Sequence, residues 1–500
     1  MTIQLLRIRH ELPSVGLSMI MTMKPKIGKL NGPTGERASG LVEVASFELF
    51  VDLLFVGILA INGDHAAEFP TGSELLRFSI TFIMAWKIWN DMALIISWFE
   101  TDDILQRVCV LFIMANLLGL VTNMLEGLHE TYTGLVAFYV TARLFMGGYC
   151  FILAATIPMI RGMLINQGVI IIVPCALWIA SIYVEMPNRL GLIWVALFLD
   201  LCASIFVFIL MRCAKFFSGS LQAWFDRVFE FFPAVNIEHK VERTNAFVTL
   251  VFGYAVVATI FQSSSSEYGL TAFYGKATLC LVQAFCFNWI YFELDGADLF
   301  SHAIRRDAIA CMIWGTIHIP LILSFVLAGA ALSKMVVATD TSNADVHALT
   351  EIYVEKADSE IPIGLRWFYC AGLGIALSCM GIISLCHIHK ETGGARLRKH
   401  YRLANRFAVC IILLCLPTAP WLNSLQLVSI VTGLIVWVLL LELWGASCPK
   451  ESIFGGQRTC KYTAKCKMSR KDLETAAKSG TTIRVQDLKE KGEKGYYELS

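Results

Sequence analysis

The chain alternates between long apolar stretches and short polar connections over most of its length. A helix needs roughly 20 mostly apolar residues to cross a bilayer, and this criterion predicts twelve spanning segments. Pro417 and Pro420 interrupt the eleventh segment, so a re-entrant hairpin is an alternative there. The pattern therefore predicts an all-α membrane protein. The expected segments are 45–62, 75–98, 104–125, 132–156, 168–186, 190–212, 244–263, 272–293, 308–333, 363–388, 405–422 and 425–446.

The polar connections alternate in charge, which gives an orientation. Basic residues collect in every second connection, for example Arg107, Arg161 and the run at 396–402. Acidic residues collect in the others, including the loop at 340–360. Because positively charged loops stay on the cytosolic side, both termini are expected in the cytosol.

A long polar segment near the middle divides the predicted spans into six and six. It mixes aromatic and charged residues, which is typical of an amphipathic helix on a membrane surface. The Lys- and Glu-rich end of the chain has the composition of a disordered tail. The expected organisation is a cytosolic tail at 1–43, a six-helix half at 44–212, a cytosolic linker at 213–243, a second six-helix half at 244–446 and a cytosolic tail at 447–500.

Composition supports a membrane location. The chain is 56% hydrophobic and only 16% charged, whereas about 25% of the residues of a soluble protein are charged. The basic residues lie in a few loops and the tails, so they set topology and do not indicate nucleic-acid binding. The sixteen cysteines form no CxxC pair and no zinc-like cluster with histidine, and the N-terminal region lacks a cleavable signal peptide. No metal, other cofactor or enzymatic motif is predicted.

Several charged side chains fall inside the predicted spans, where each costs on the order of 3 kcal/mol. Glu48 and Asp52 lie one helical turn apart on the first span, with Lys87 and Asp91 on the second. At 1.5 Å of rise per residue, Asp52 and Asp91 both lie about 10 Å deep, so they are expected to meet beside Lys87.

Two further charges fall near the middle of the membrane. Arg143 on the fourth span and Asp200 on the sixth are expected to pair. No deeply placed acid is expected in the second half, whose notable polar ring is His318, two residues before Pro320. Static salt bridges between helices are one interpretation of all these charges. A polar pathway is the other, and it is favoured because buried ion pairs add little net stability over apolar packing.

Short motifs along the chain resemble those of the low-temperature requirement A family, in the same order and spacing over roughly 43–335. The stretch Glu48-Leu-Phe-Val-Asp-Leu-Leu-Phe-Val56 fits the first span of that family. Its cytosolic-face motifs are similar to Asp102, Asp103 and Arg107, and to His239, Glu242 and Arg243. Further matches are Arg143-Leu144, Tyr291-Phe292 and His318-Ile-Pro-Leu321.

The resemblance implies a multi-pass protein of the plasma or inner membrane, without an agreed biochemical activity. The chain departs from the family at Tyr254, where the seventh span of the family usually carries glutamate, and at Ser97-Trp98, which replace its Asn-Arg. A tyrosine at that position offers only a hydroxyl group.

Two classes of function fit these features. The leading hypothesis is a secondary or proton-linked transporter, because two groups of six spans contain carboxylates beside cations. The alternative is a membrane sensor or scaffold that transports nothing and recruits anionic lipid or partners through its basic segments. The expected contacts are the bilayer and, for a transporter, a small solute or a proton. An enzyme is not expected.

Overall fold

The computed structural model describes residues 46–98, 104–217, 219–229, 237–262, 271–342, 344–349, 354, 357–390 and 395–447. The predicted N-terminal tail, nearly all of the predicted C-terminal tail, and the family-motif residues Asp102 and Asp103 lie outside this part of the chain.

Long helices account for most of the described residues. In the first part of the chain they are α1 (Ser46–Glu68), α2 (Gly72–Trp98), α3 (Ile104–Thr122), α4 (Tyr132–Thr156), α5 (Arg161–Ile182), α6 (Asn188–Phe217), the short α7 (Gly219–Val228) and α8 (Ile237–Gln262). They are followed by α9 (Ala272–Trp289), the short α10 (Ala303–Arg306), α11 (Ala308–Val337), α12 (Ile363–Cys386), α13 (Lys399–Cys415) and α14 (Ser424–Ala446).

Eleven helical segments of the described chain are long and apolar enough to cross a membrane. They confirm a multi-pass, all-α membrane protein. The predicted seventh span lies within α8, which is not one of the eleven. The count of twelve spans and their six-plus-six arrangement stay predictions.

The described chain divides into two compact units. Unit 1 contains 87–123 and 132–243, and unit 2 contains 46–86, 124–131 and 244–447. The helix α1 therefore groups with the later helices and with the first part of α2 (72–86), and not with the other spans of its predicted half. Small residues explain this grouping, since a Cβ atom added to Gly63 of α1 would lie 3.0 Å from Val326 of α11.

Close packing between small residues also joins α11 to α12 in unit 2. A Cβ atom at Gly372 would lie 2.7 Å from the carbonyl oxygen of Ser324, so only glycine allows this approach. Beyond α9, residues Ile290–Asp295 form a π-helical turn. A short antiparallel pair, β1 (Leu299–Ser301) and β2 (Ile388–His389), follows it.

The predicted eleventh span contains a helix that ends before its prolines. α13 stops at Cys415, a 3₁₀ turn covers Leu416–Thr418, and 399–418 is one of the eleven candidate spans. The turn that follows has carbonyl oxygens outside any helix. Arg366 of α12 donates to three of them, on Ala419, Pro420 and Leu422, at 2.6–3.2 Å.

In unit 1, the helix α7 lies within the predicted linker. Its aromatic residues Phe225 and Phe229 are buried together and pack against residues of α5 and α6, including Met163 and Leu210. Trp224, whose exposed fraction is 54%, and Arg227 of the same helix are exposed. The separation of buried aromatic residues from exposed residues is typical of an amphipathic helix.

Candidate functional site

A network of ion pairs in unit 1 is built around the guanidinium group of Arg143. Arg143 lies near the middle of α4 and has no solvent-exposed surface. Its Nη1 donates to Oδ2 of Asp91 on α2, and its Nη2 donates to Oδ1 of Asp200 on α6 at 2.7 Å. One cation therefore bridges two carboxylates from two other helices. Hydrogen bonds between two ionised groups are stronger than neutral ones, and the planar guanidinium group fixes their direction better than the ammonium group of a lysine does.

The remaining oxygen atoms of both carboxylates also accept hydrogen bonds. Lys87 donates to Oδ1 of Asp91 at 2.8 Å. Oδ2 of Asp200 accepts from the hydroxyl group of Tyr139 at 2.8 Å and from Nε1 of Trp178 at 3.0 Å. The network thus contains two cations and two anions, and its net charge is zero. A balanced charge is the condition under which four ionised groups can be buried together.

The predicted pairing of Arg143 with Asp200 is present, and so is that of Lys87 with Asp91. The sequence did not suggest that the two pairs are one network through Arg143 and Asp91. It also missed Tyr139 and Trp178. Tyr139 could have been found, because it lies four residues before Arg143 and therefore on the same face of α4.

The other predicted acids of the first span belong to unit 2. Glu48 and Asp52 are both buried on α1, and Asp52 has no exposed surface. Lys87 and Asp91 belong to unit 1. The expected meeting of Asp52 with these two residues therefore stays a prediction.

A second ion-pair network lies in unit 2, where the sequence indicated no deeply placed acid. Its acids are buried, but Asp295 lies just past the predicted span 272–293 and Glu442 near the end of 425–446, so the expectation about depth in the membrane stays a prediction. Arg406 of α13 is 1% exposed and bridges Asp295 and Glu442, at 2.7 and 2.8 Å. Arg402, one helical turn earlier, donates to the other oxygen of Glu442 at 2.8 Å.

This second network was missed because its members lie near the predicted ends of their spans, where charges are ordinary. Asp295 closes the π-helical turn, a deviation from regular helix that is frequent at functional sites. Lys276 on α9 is also fully buried, and it donates to the carbonyl oxygen of Ala338 at 2.7 Å and to Ser424 at 3.0 Å.

The predicted polar ring His318 is buried in unit 2 and contacts a second family-like residue. Its Nδ1 lies 2.6 Å from the carbonyl oxygen of Trp314, which can only accept a hydrogen bond. In the neutral ring Nδ1 is then the donor, and Nε2 accepts from the hydroxyl group of Tyr291 at 2.9 Å. Two separate sequence motifs thus meet at one hydrogen bond.

Comparison with protein families identifies the family of the chain. The family model described as bacterial low temperature requirement A protein (LtrA) matches residues 43–442. The chain belongs to the low temperature requirement A family. The match extends well past residue 335, where the recognisable motifs end, and so includes Arg406 and Glu442. Neither a comparison with curated proteins nor one with solved structures gave a match.

Four of the six residues that the sequence predicts on the cytosolic face lie in the described part of the chain. Arg107 is exposed at the start of α3, whereas His239 and Arg243 are buried in the first turns of α8 and Glu242 is half-buried. The guanidinium carbon of Arg243 lies 5.8 Å from the centre of the Trp89 ring, within range of a cation–π contact.

Tyr254, which replaces the usual LtrA glutamate, is buried in unit 2. Its hydroxyl group donates to Oδ1 of Asp64 on α1 at 2.7 Å. A carboxylate is therefore still present next to this position, but it comes from another helix.

Three histidines lie in the connections outside the spans of unit 2. Burial lowers the pKa of His387 to about 3 and the pKa of His389 to about 4, and nearby positive charge, chiefly that of Lys399 for His389, adds to both. Burial and then the charge of Arg305 lower the pKa of His302 to about 4. Nδ1 of His387 accepts from a backbone N–H group at 3.0 Å, which requires the neutral ring. In the described residues no group of three potential ligands is placed to hold a metal ion.

Proposed function

We propose that the chain is a secondary transporter that couples the movement of a small solute to protons through the Arg143 network. The observation that carries the proposal is one fully buried guanidinium group shared by carboxylates of two other helices. Ionisable groups inside a bilayer are expensive, on the order of 3 kcal/mol each, and they commonly mark ion and proton pathways.

The network offers two alternative pairings for the same cation. Protonation of Asp200 would remove its negative charge and leave Arg143 held by Asp91, whereas protonation of Asp91 would leave Arg143 held by Asp200. Each proton therefore changes which of α2 and α6 is attached to α4. Two discrete arrangements that differ by a bound proton are what coupling requires.

A small cavity lies near this centre and is lined by neighbours of Asp91 and Arg143, although no member of the network is in its described lining. It has a volume of about 40 Å³ and is lined by residues of α2, α3 and α4, including Met92, Met146 and Gln106. Met92 follows Asp91 directly, and Met146 lies one turn beyond Arg143. A space of this size can hold a water molecule, which could carry a proton.

The test is flux in liposomes that contain the purified protein and an internal pH-sensitive dye. Asp200→Asn should fold and insert, yet lose the pH dependence of solute uptake, because asparagine cannot take up a proton. Asp200→Glu should restore part of this dependence. Glu68→Gln is the matched control, since it removes a carboxylate that is 52% exposed and lies 4.0 Å from Lys334. Unchanged pH-dependent flux in Asp200→Asn, or no flux for any solute gradient, would refute the proposal.

A second candidate is a sensor or scaffold without transport. It is favoured by the pairing of the carboxylates, since every oxygen atom of Asp91 and Asp200 accepts a hydrogen bond. In that case the network only holds helices together. Asp200→Asn would then lower stability, and adding Arg143→Gln to it would lower stability by less than Arg143→Gln does alone, with no flux in any variant.

The proposal places the chain in the plasma membrane with both termini in the cytosol, and it assigns no enzymatic reaction. The orientation rests on the distribution of basic residues in the connections. Labelling of single-cysteine variants with an impermeant reagent should modify residue 350 from outside and residue 398 only after permeabilisation. The opposite pattern would reverse the orientation.

A further inference from the structure

A cleft in unit 1 lies between the start of α5 and the amphipathic helix α7. Its volume is about 600 Å³, which is within the range of small-molecule sites, 300–1,000 Å³. The polar residues of its lining are Arg161 and Asn166 from α5, and Arg227 from α7, with Trp224 beside them. The cleft takes no part in the Arg143 network.

The charged side chains that line the cleft are all positive. Arg161 and Arg227 contribute two guanidinium groups, and no acidic side chain is present in the described lining. Nε of Arg161 donates to the carbonyl oxygen of Ala154 at 3.0 Å, which positions this guanidinium group and leaves its terminal nitrogens as further donors. Two guanidinium groups and an amide that line one cleft suit a phosphate group.

The walls of the same cleft are apolar and open. Met159, Ile165 and Val169 are each more than 40% exposed, and Trp224 is more exposed still. Exposed aliphatic residues beside a tryptophan and arginines are typical of the boundary between headgroups and acyl chains. A small soluble anion would use the arginines but would leave these apolar walls in water.

Helix packing forms the cleft. A Cβ atom at Gly162 would lie only 2.0 Å from the carbonyl oxygen of Val228, so the end of α7 rests directly on the first turn of α5. Buried Phe225 and Phe229 hold the same helix from its other side. The arginines of two helices are therefore kept at one site in the absence of a ligand.

From this juxtaposition we propose that the cleft binds the phosphate-bearing headgroup of an anionic phospholipid, with the start of its acyl chains along Ile165 and Val169. The basic connection that contains Arg161 is predicted to face the cytosol, where the leaflet is rich in anionic lipid. The bound lipid would attach α7 to α5 as well as to the membrane.

Native mass spectrometry of the full-length, delipidated protein in detergent tests the proposal. Phosphatidylglycerol should bind one site more tightly than phosphatidylcholine does. Arg227→Gln should weaken that site roughly fivefold, the fold-change that corresponds to about 1 kcal/mol for a basic residue at a membrane surface. Arg161→Gln combined with Arg227→Gln should weaken it roughly 25-fold on the same basis, and the double lysine variant should keep much of the affinity.

Arg189→Gln is the matched control, because it removes one positive charge of the same unit at a guanidinium group stacked 4.5 Å from the Tyr132 ring. Thermal unfolding of each variant checks that it is folded. Gly162→Leu gives an independent measurement, since it should displace α7 and remove the site while both arginines remain.

Three results would overturn the proposal. Equal affinity for phosphatidylglycerol and phosphatidylcholine would show that the cleft does not select a charged headgroup. An equal loss in Arg189→Gln and Arg227→Gln would show that only net charge matters. Displacement of the lipid by an equal concentration of inorganic phosphate would assign the arginines to a soluble anion.

Discussion

Removing charges from the Arg143 network one at a time, and then together, should show strong coupling between its members. Asp200→Asn leaves Arg143 paired with Asp91, so the network gains one net positive charge. Arg143→Gln breaks both of its ion pairs, and Lys87 then compensates only Asp91. The double variant is neutral again. The double variant should therefore cost less than the sum of the two single losses.

The contacts of each side chain determine how much unfolding free energy each variant should lose. Breaking a buried ion pair by removing one partner costs about 3–5 kcal/mol. Asp200→Asn should lower the free energy of unfolding by about 3 kcal/mol, the low end of this range, because the amide oxygen can still accept hydrogen bonds from Tyr139 and Trp178. Arg143→Gln should lower the free energy of unfolding by about 5 kcal/mol, because two ion pairs are lost. With a coupling energy of about 2–3 kcal/mol, the double variant should lose about 5 kcal/mol, well below the sum of the single losses.

The measurement is reversible unfolding in detergent or bicelles, with the free energy of unfolding determined for all four proteins. Glu68→Gln is the control for loss of an exposed carboxylate, and it should cost at most about 1 kcal/mol. Single losses that simply add in the double variant would refute the reasoning. A cost for Asp200→Asn no larger than that of Glu68→Gln would show that the network is not buried in the folded protein.

Four further substitutions test unit 2. Arg406→Gln should cost about 3–5 kcal/mol in unfolding free energy because it breaks two buried pairs, whereas Arg402→Gln, at a guanidinium group that is 16% exposed, should cost less. Gly364→Ala should lower the melting temperature, since its Cβ atom would lie 1.8 Å from the carbonyl oxygen of Pro70. When the pH falls from 7 to 5, the free energy of unfolding of His387→Gln should rise by about 2 kcal/mol relative to that of the wild type. Unfolding of both proteins at the two pH values measures this difference.

The sign of the histidine effect follows from the lowered pKa. His387 has a pKa of about 3 when folded and 6.5 when unfolded, so its neutral form stabilises the protein fully above pH 6.5 and this stability is lost as pH falls toward 3. Glutamine cannot titrate and avoids the loss. The same pH profile in both proteins would contradict the assignment. For the glycine, Gly253→Ala is the control, because a Cβ atom there meets nothing within 4 Å.

The sequence by itself determined the class of protein and most helix positions. Apolar stretches long enough to span a bilayer are local features, because each helix satisfies its own backbone hydrogen bonds in lipid. The pairing of Arg143 with Asp200 could be predicted as well, since both fall near mid-span, where an unpaired charge would be too costly.

Only the tertiary structure decided which helices group together and how the pairs join. Contact between α1 and α11 depends on small side chains far apart in the chain, which hydropathy does not detect. Asp295, Arg406 and Glu442 each lie near a predicted span end and appear ordinary alone, but the fold buries them as one network. Local composition fixes whether a segment enters the membrane, whereas long-range packing fixes which charges become neighbours.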